Sequence, residues 1–209
     1  MVDSGSGILV FAAALFVTAT PGPNSFYVPA RTLAGGRNEG LASSLGIAVG
    51  GMVHVIAGAI GVSAVIMASV EAFTVLKLAG AAFLAWLGIR MIREAGVERP
   101  ATSLGAGGLR QAFRDGIVME ALNPKTAAFF LAFIPGFVDP AGNVPLQYVI
   151  FGMLTVIASG IIDIVVTLTA STARGQLARR PALMRRVHQG CGLLVILLGA
   201  ALAFVNRPV

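Results

Sequence analysis

Charge is what this chain has least of. Only 11% of its 209 residues are Asp, Glu, Lys or Arg, against about 25% in an ordinary soluble domain. A water-facing surface of the usual kind is therefore excluded. The single cysteine, Cys191, rules out an internal disulfide and any multi-cysteine metal site. Two histidines form no Cys/His cluster with metal spacing, and HExxH, GxSxG and P-loop sequences are all missing. An enzyme is not expected on these grounds, nor a cofactor or a bound metal. The first residues carry Asp3 and no basic side chain, whereas a cleavable signal peptide needs a basic start.

What fills the chain instead is apolar. A 56% hydrophobic composition and a mean hydropathy of +0.87 describe a polytopic membrane protein folded as one domain over 1–209. Six stretches approach the roughly 20 residues needed to cross a bilayer: 7–28, 41–67, 72–92, 114–138, 146–171 and 188–206. The net charge of +6 comes from arginines that cluster between them. Arg31 and Arg37 fall in the first connection. Arg90, Arg93, Arg99, Arg110 and Arg114 fall around the third, and Arg174, Arg179, Arg180, Arg185 and Arg186 in the fifth. The other side has only Lys77 and Arg207. This asymmetry places the odd connections in the cytoplasm and both termini outside, and it argues for a membrane rather than a nucleic acid as the partner of the basic residues.

The connection 94–110 divides the chain into halves of about 1–95 and 110–209, each with three stretches. An odd number makes the halves inverted relative to each other. The expected fold is all-α: six transmembrane helices as two inverted three-helix repeats, with helices 1 and 4 broken. The breaks are Pro21-Gly22-Pro23-Asn24 and Asn123-Pro124-Lys125. Each proline removes a backbone donor, and within hydrocarbon the freed carbonyls are tolerated only where protein or a wet cavity satisfies them. The first stretch of each half is thus interrupted where a site is expected. Gly46 and Gly50 form a GxxxG pair, and Gly80, Ala81 and Gly88 add small surfaces that let helices approach closely. Such surfaces also permit a homodimer.

Charged groups at mid-bilayer cost about 2.5–3.5 kcal/mol each on insertion scales, so they mark function. Lys125 is eleven residues past Arg114 and Asp163 eleven before Arg174, about 16 Å deep in each case. Equal depth allows an ion pair, and also a titrating or substrate-contacting role. His54 lies about 22 Å in and suits a proton relay or a hydrogen bond between helices. Glu120 lies about 9 Å in, where it suits proton coupling or a pair with an arginine at the mouth. Thr20 and Asn24 flank the first break, and Asn123 offers donors and acceptors at the second. Backbone amides at each restart favour a carboxylate; exposed carbonyls and Asp163 favour an ammonium. A zwitterionic amino acid satisfies both. Two further classes stay open: an inorganic-cation exporter, which needs several carboxylates or thiolates in one cavity, and a membrane-embedded enzyme acting on lipid phosphate.

Ala19-Thr20-Pro21-Gly22-Pro23-Asn24 resembles a signature of the LysE/RhtB family of amino-acid exporters. The run from Leu122 through Asn123-Pro124-Lys125 to Pro135 resembles another, and Lys77–Gly88 and Gly46–His54 extend the likeness over the whole chain. The resemblance implies a secondary exporter of amino acids or related metabolites in a bacterial inner membrane, driven by protons. It implies Thr20, Pro21, Gly22, Pro23, Asn24, Asn123, Pro124 and Lys125 as the substrate region, and His54 and Asp163 as intramembrane polar positions. Some family descriptions count five spans plus a re-entrant segment. Gly136 stands where many members carry glutamine, so substrate choice does not carry over.

Overall fold

A computed structural model describes residues 4–19, 23–64, 70–93 and 107–170, with isolated helical positions between 186 and 200. Every regular element among them is helical. Helix α1 (Ser4–Ala19) is uncharged throughout and stops just before Thr20-Pro21-Gly22, which lie outside the described residues. Helix α2 (Pro23–Gly35) starts on a proline, a residue pre-set for the first helical position. It then runs well past the expected end of the first stretch. The connection anticipated around Arg31 and Arg37 is a single residue, Gly36, with φ 83°, a left-handed conformation open to glycine. Arg31 is therefore inside α2, and Arg37 begins α3 (Arg37–Ala57). A π-helical turn, Gly58–Val62, prolongs α3.

Helix α4 (Val70–Arg93) matches the third apolar stretch. The fourth stretch is built as expected for a broken span. Helix α5 (Gly108–Ala121) ends at Leu122, Asn123 is extended, and α6 (Pro124–Ala128) continues into a π-turn, Phe129–Phe133, and a 3-10 turn, Ile134–Phe137. The two arms meet at 41°. Helix α7 (Val144–Ala170) is unbroken. Among the described residues, 37–61 and 144–169 are long and apolar enough to cross a membrane, and the bent pair has the length and composition of either a broken span or a re-entrant loop. Most of 188–206, and the connections 94–106 and 171–185, lie outside the described residues.

The packing joins helices from the two halves of the sequence. Helix α3 packs most extensively on α5, and α1 on α7. Gly46 and Gly50 allow the first contact: a Cβ on them would lie 2.0 Å from the Phe113 carbonyl oxygen and 2.6 Å from that of Ile117. Gly116 answers from α5, where a Cβ would lie 2.6 Å from the Ser43 oxygen. The GxxxG reading of Gly46 and Gly50 thus corresponds to a backbone-to-backbone seam. The main apolar core gathers Val10, Ala14 and Val17 of α1, Val55 of α3, Phe129, Phe130 and Phe133 of the π-turn, and Tyr148 and Phe151 of α7. Tyr148 donates its hydroxyl to the Phe130 carbonyl, supplying a partner inside the irregular stretch, where the ordinary helical ladder lapses.

Candidate functional site

Proline chemistry organises the centre. Pro124 has no amide hydrogen, so the Glu120 carbonyl loses the partner it would have in a continuous helix. Two groups replace it: the Asn123 amide at 3.0 Å and His54 Nε2 at 2.9 Å. A carbonyl only accepts, so Nε2 carries the proton here. The Asn123 side chain caps the restart, its Oδ1 accepting from the Lys125 amide at 3.0 Å. The first break is satisfied in a parallel way. Val17 stands four residues before Pro21, which likewise has no hydrogen to offer it. Lys125 Nζ donates to the Val17 carbonyl at 3.0 Å. Each proline's orphaned carbonyl is thus served by a side chain from the other half of the chain.

The Glu120 carboxylate is buried and held from two sides. Its Oε2 accepts from Asn123 Nδ2 at 3.0 Å and its Oε1 from Thr126 Oγ1 at 2.8 Å. Both of these bonds come from residues at the break itself. Lys125, anticipated from depth beside Asp163, also gives a hydrogen bond to the Val17 carbonyl. Asp163 is buried on α7, its Oδ2 without a hydrogen-bond partner among the described residues, within electrostatic reach of Glu120 and Lys125. Helices α1, α5, α6 and α7 enclose a small polar cavity between Thr18, Glu120, Asn123, Lys125, Thr126, Thr155 and Ser159. Its free space is of the order of one water molecule.

The structure thus brings Glu120, Asn123, Lys125 and His54 together, with Asp163 nearby. Thr20, Pro21 and Gly22 lie outside the described residues, as do the side chains of Pro23 and Asn24. Sequence reasoning missed four alcohols: Thr126, which holds Glu120, and Thr18, Thr155 and Ser159. Thr18 and Ser159 hydroxyls meet at 2.8 Å, joining α1 to α7, and Thr155 lines the same cavity. A signal for two of them was present: Thr155, Ser159, Asp163 and Thr167 recur at every fourth residue, which puts them on one face of α7.

A second polar centre was also missed. Arg31 is 1% exposed, although charge counting had assigned it to a loop. Its Nη2 bonds Asp115 Oδ2 at 2.7 Å and its Nη1 approaches Glu39 Oε2 at 3.5 Å. Its Nε donates to the Tyr27 hydroxyl at 3.1 Å, and Tyr27 donates on to the Ala112 carbonyl. Glu39 Oε1 also accepts from the Gly108 amide at 2.9 Å, capping the start of α5, where an anion is favoured. One guanidinium thus ties α2, α3 and α5 together.

Helices long and apolar enough to cross a membrane, packed around buried polar side chains at a helix break, define a helical membrane protein. The particular family is plain from comparison. The LysE type translocator model matches residues 15–205, and the chain belongs to that family. It is similar to the homoserine/homoserine lactone efflux protein of Salmonella typhimurium (strain LT2), 30% identical over 190 residues that cover 90% of each chain. It is also similar to the leucine efflux protein of Klebsiella pneumoniae subsp. pneumoniae, 28% identical over 133 residues and 63% of each chain. An uncharacterized membrane protein of Vibrio cholerae serotype O1 is 28% identical over 189 residues, 87% of this chain and 92% of the relative. No solved structure matches significantly.

Proposed function

We propose that this chain is a secondary active exporter of amino acids or related small metabolites across a bacterial inner membrane, coupled to protons. The observation that carries the reading is the buried Glu120–Asn123–Lys125 constellation at the second helix break. It offers an anion for a substrate ammonium beside a cation for a substrate carboxylate. The names of the Salmonella and Klebsiella relatives support the substrate class.

In this mechanism the substrate carboxylate takes Lys125 from the Val17 carbonyl, and its ammonium faces Glu120. Because Lys125 also serves the first break, substrate binding is felt at Pro21–Asn24, which complete the substrate region. Asp163 carries the coupling proton, with Glu120 and His54 as its neighbours along the path. The two halves act as inverted repeats of three helices, with odd connections in the cytoplasm and both termini outside, and present the centre to each side in turn. An inorganic-cation exporter is the weaker reading, because among the described residues no three His, Cys, Asp or Glu side chains are grouped to hold a metal ion.

Efflux from proteoliposomes under an imposed pH gradient tests the coupling. The wild-type chain should release labelled amino acid faster when protons flow inward against it. Asp163→Asn should retain exchange of one amino acid for another but lose the response to the gradient. An unchanged response in Asp163→Asn refutes the assignment.

A further inference from the structure

Two small cavities adjoin in the middle of the bundle and share one wall: Glu120, Thr126, Thr155 and Ser159. Beyond that wall their chemistry diverges. The first, toward α1, adds Asn123 and Lys125. The second, toward α3, is otherwise closed by Ile47, Ala48, Gly51, Phe130 and Val156, with no charge except the shared Glu120. A compartment that holds a cation and a compartment that holds none thus meet at one carboxylate.

We infer that the second cavity receives the substrate's side chain, and that Ala48, Gly51 and Val156 limit it to a short, uncharged one. The inference deepens the amino-acid export reading and rests on it. With the ammonium and carboxylate engaged at Glu120 and Lys125, the bond from the α-carbon to the side chain can continue toward the α3 side, where the second cavity adjoins. There the wall is aliphatic and aromatic. A lysine or arginine side chain would bring a second cation against it, with Glu120 already facing the α-ammonium; burying an unpaired charge is strongly unfavourable. A single hydroxyl fits better, because the Thr155 and Ser159 oxygens stand at the shared wall.

Size is set by two facing positions. At Gly51 the wall is bare backbone, and a Cβ there would lie 3.0 Å from Val156 Cγ2. Gly51→Ala therefore narrows the cavity, and Val156→Ala widens it from the opposite side. One methylene in an apolar pocket changes selectivity by about 10–200-fold.

The test is counterflow in proteoliposomes of the full chain, with labelled L-alanine, L-leucine and L-lysine. The wild-type chain should carry both neutral substrates at least about tenfold faster than lysine. Val156→Ala should raise the leucine-to-alanine ratio about tenfold and Gly51→Ala should lower it by a similar factor. A gain of leucine transport in Val156→Ala is an outcome that misfolding cannot produce. The assignment is overturned if lysine moves as fast as leucine, or if the ratio stays constant in Val156→Ala. If the wild-type chain carries none of the three, the export reading itself falls, and the assignment with it.

Discussion

Replacing Arg31 by methionine should destabilise the protein more than any other single change at the α2–α3–α5 junction. The guanidinium is 1% exposed and sits between a Glu39 side chain at 7% and an Asp115 side chain at 31%. Methionine keeps much of the aliphatic volume and removes the charge, leaving the two carboxylates without their shared cation. Breaking a buried pair from one side costs about 3–5 kcal/mol. Asp115→Asn acts on the more exposed partner, where solvent screens the interaction, and should cost about 1 kcal/mol or less. Glu39→Gln should fall between them, since its amide oxygen still accepts from Gly108. The triple variant Arg31→Met, Glu39→Gln, Asp115→Asn carries no charge at the junction and should recover most of the loss, because neutral replacement of a buried ionic cluster is often close to neutral in stability. The assay is equilibrium unfolding in mixed micelles by titration with sodium dodecyl sulfate. The reasoning is refuted if Arg31→Met unfolds within about 0.5 kcal/mol of the wild type. It is equally refuted if the triple variant is as unstable as the single one, which would make volume rather than charge the cause.

Three further outcomes are expected from the same unfolding assay. Gly46→Ala places a methyl on a backbone oxygen 2.0 Å away and should cost about 1–3 kcal/mol, whereas Gly61→Ala, with nothing within 4 Å, serves as the neutral control. Tyr148→Phe removes the donor to the Phe130 carbonyl and should cost about 1–3 kcal/mol. Asn123→Ala removes the cap of α6 together with one donor to Glu120; the cap alone should cost about 1 kcal/mol, and transport should fall further than stability.

The second break was legible because proline chemistry is local. Pro124 can be read from the sequence as releasing a carbonyl one turn earlier, and that carbonyl is the one His54 meets. The partners were not legible, because pairing depends on which helices touch. Lys125 and Asp163 were matched on depth alone. Helix α1, however, lies against α7 and close to the α5–α6 break, which puts the Val17 carbonyl within hydrogen-bond reach of Lys125. Arg31 was misplaced for a different reason. Counting basic residues between apolar stretches treats every arginine as solvated, and nothing local announces that Glu39 and Asp115 converge on this one. Thr18, Thr155 and Ser159 escaped notice because isolated alcohols in apolar helices serve packing as readily as binding. Only the spacing down one face of α7, ending on a buried carboxylate and Thr167, separates the two roles.

The most direct test of the central claim is counterflow of labelled amino acid by Glu120→Gln, set beside the wild type in proteoliposomes of matched protein content. Glutamine preserves the shape and the bond from Asn123 or Thr126 while removing the charge offered to a substrate ammonium. A site at the helix break requires that the wild-type chain accumulate label and that the folded variant lose at least about tenfold of that rate, the equivalent of one charge-assisted hydrogen bond. Equal rates in the two proteins would contradict the account, because the substrate would then be crossing without meeting Glu120.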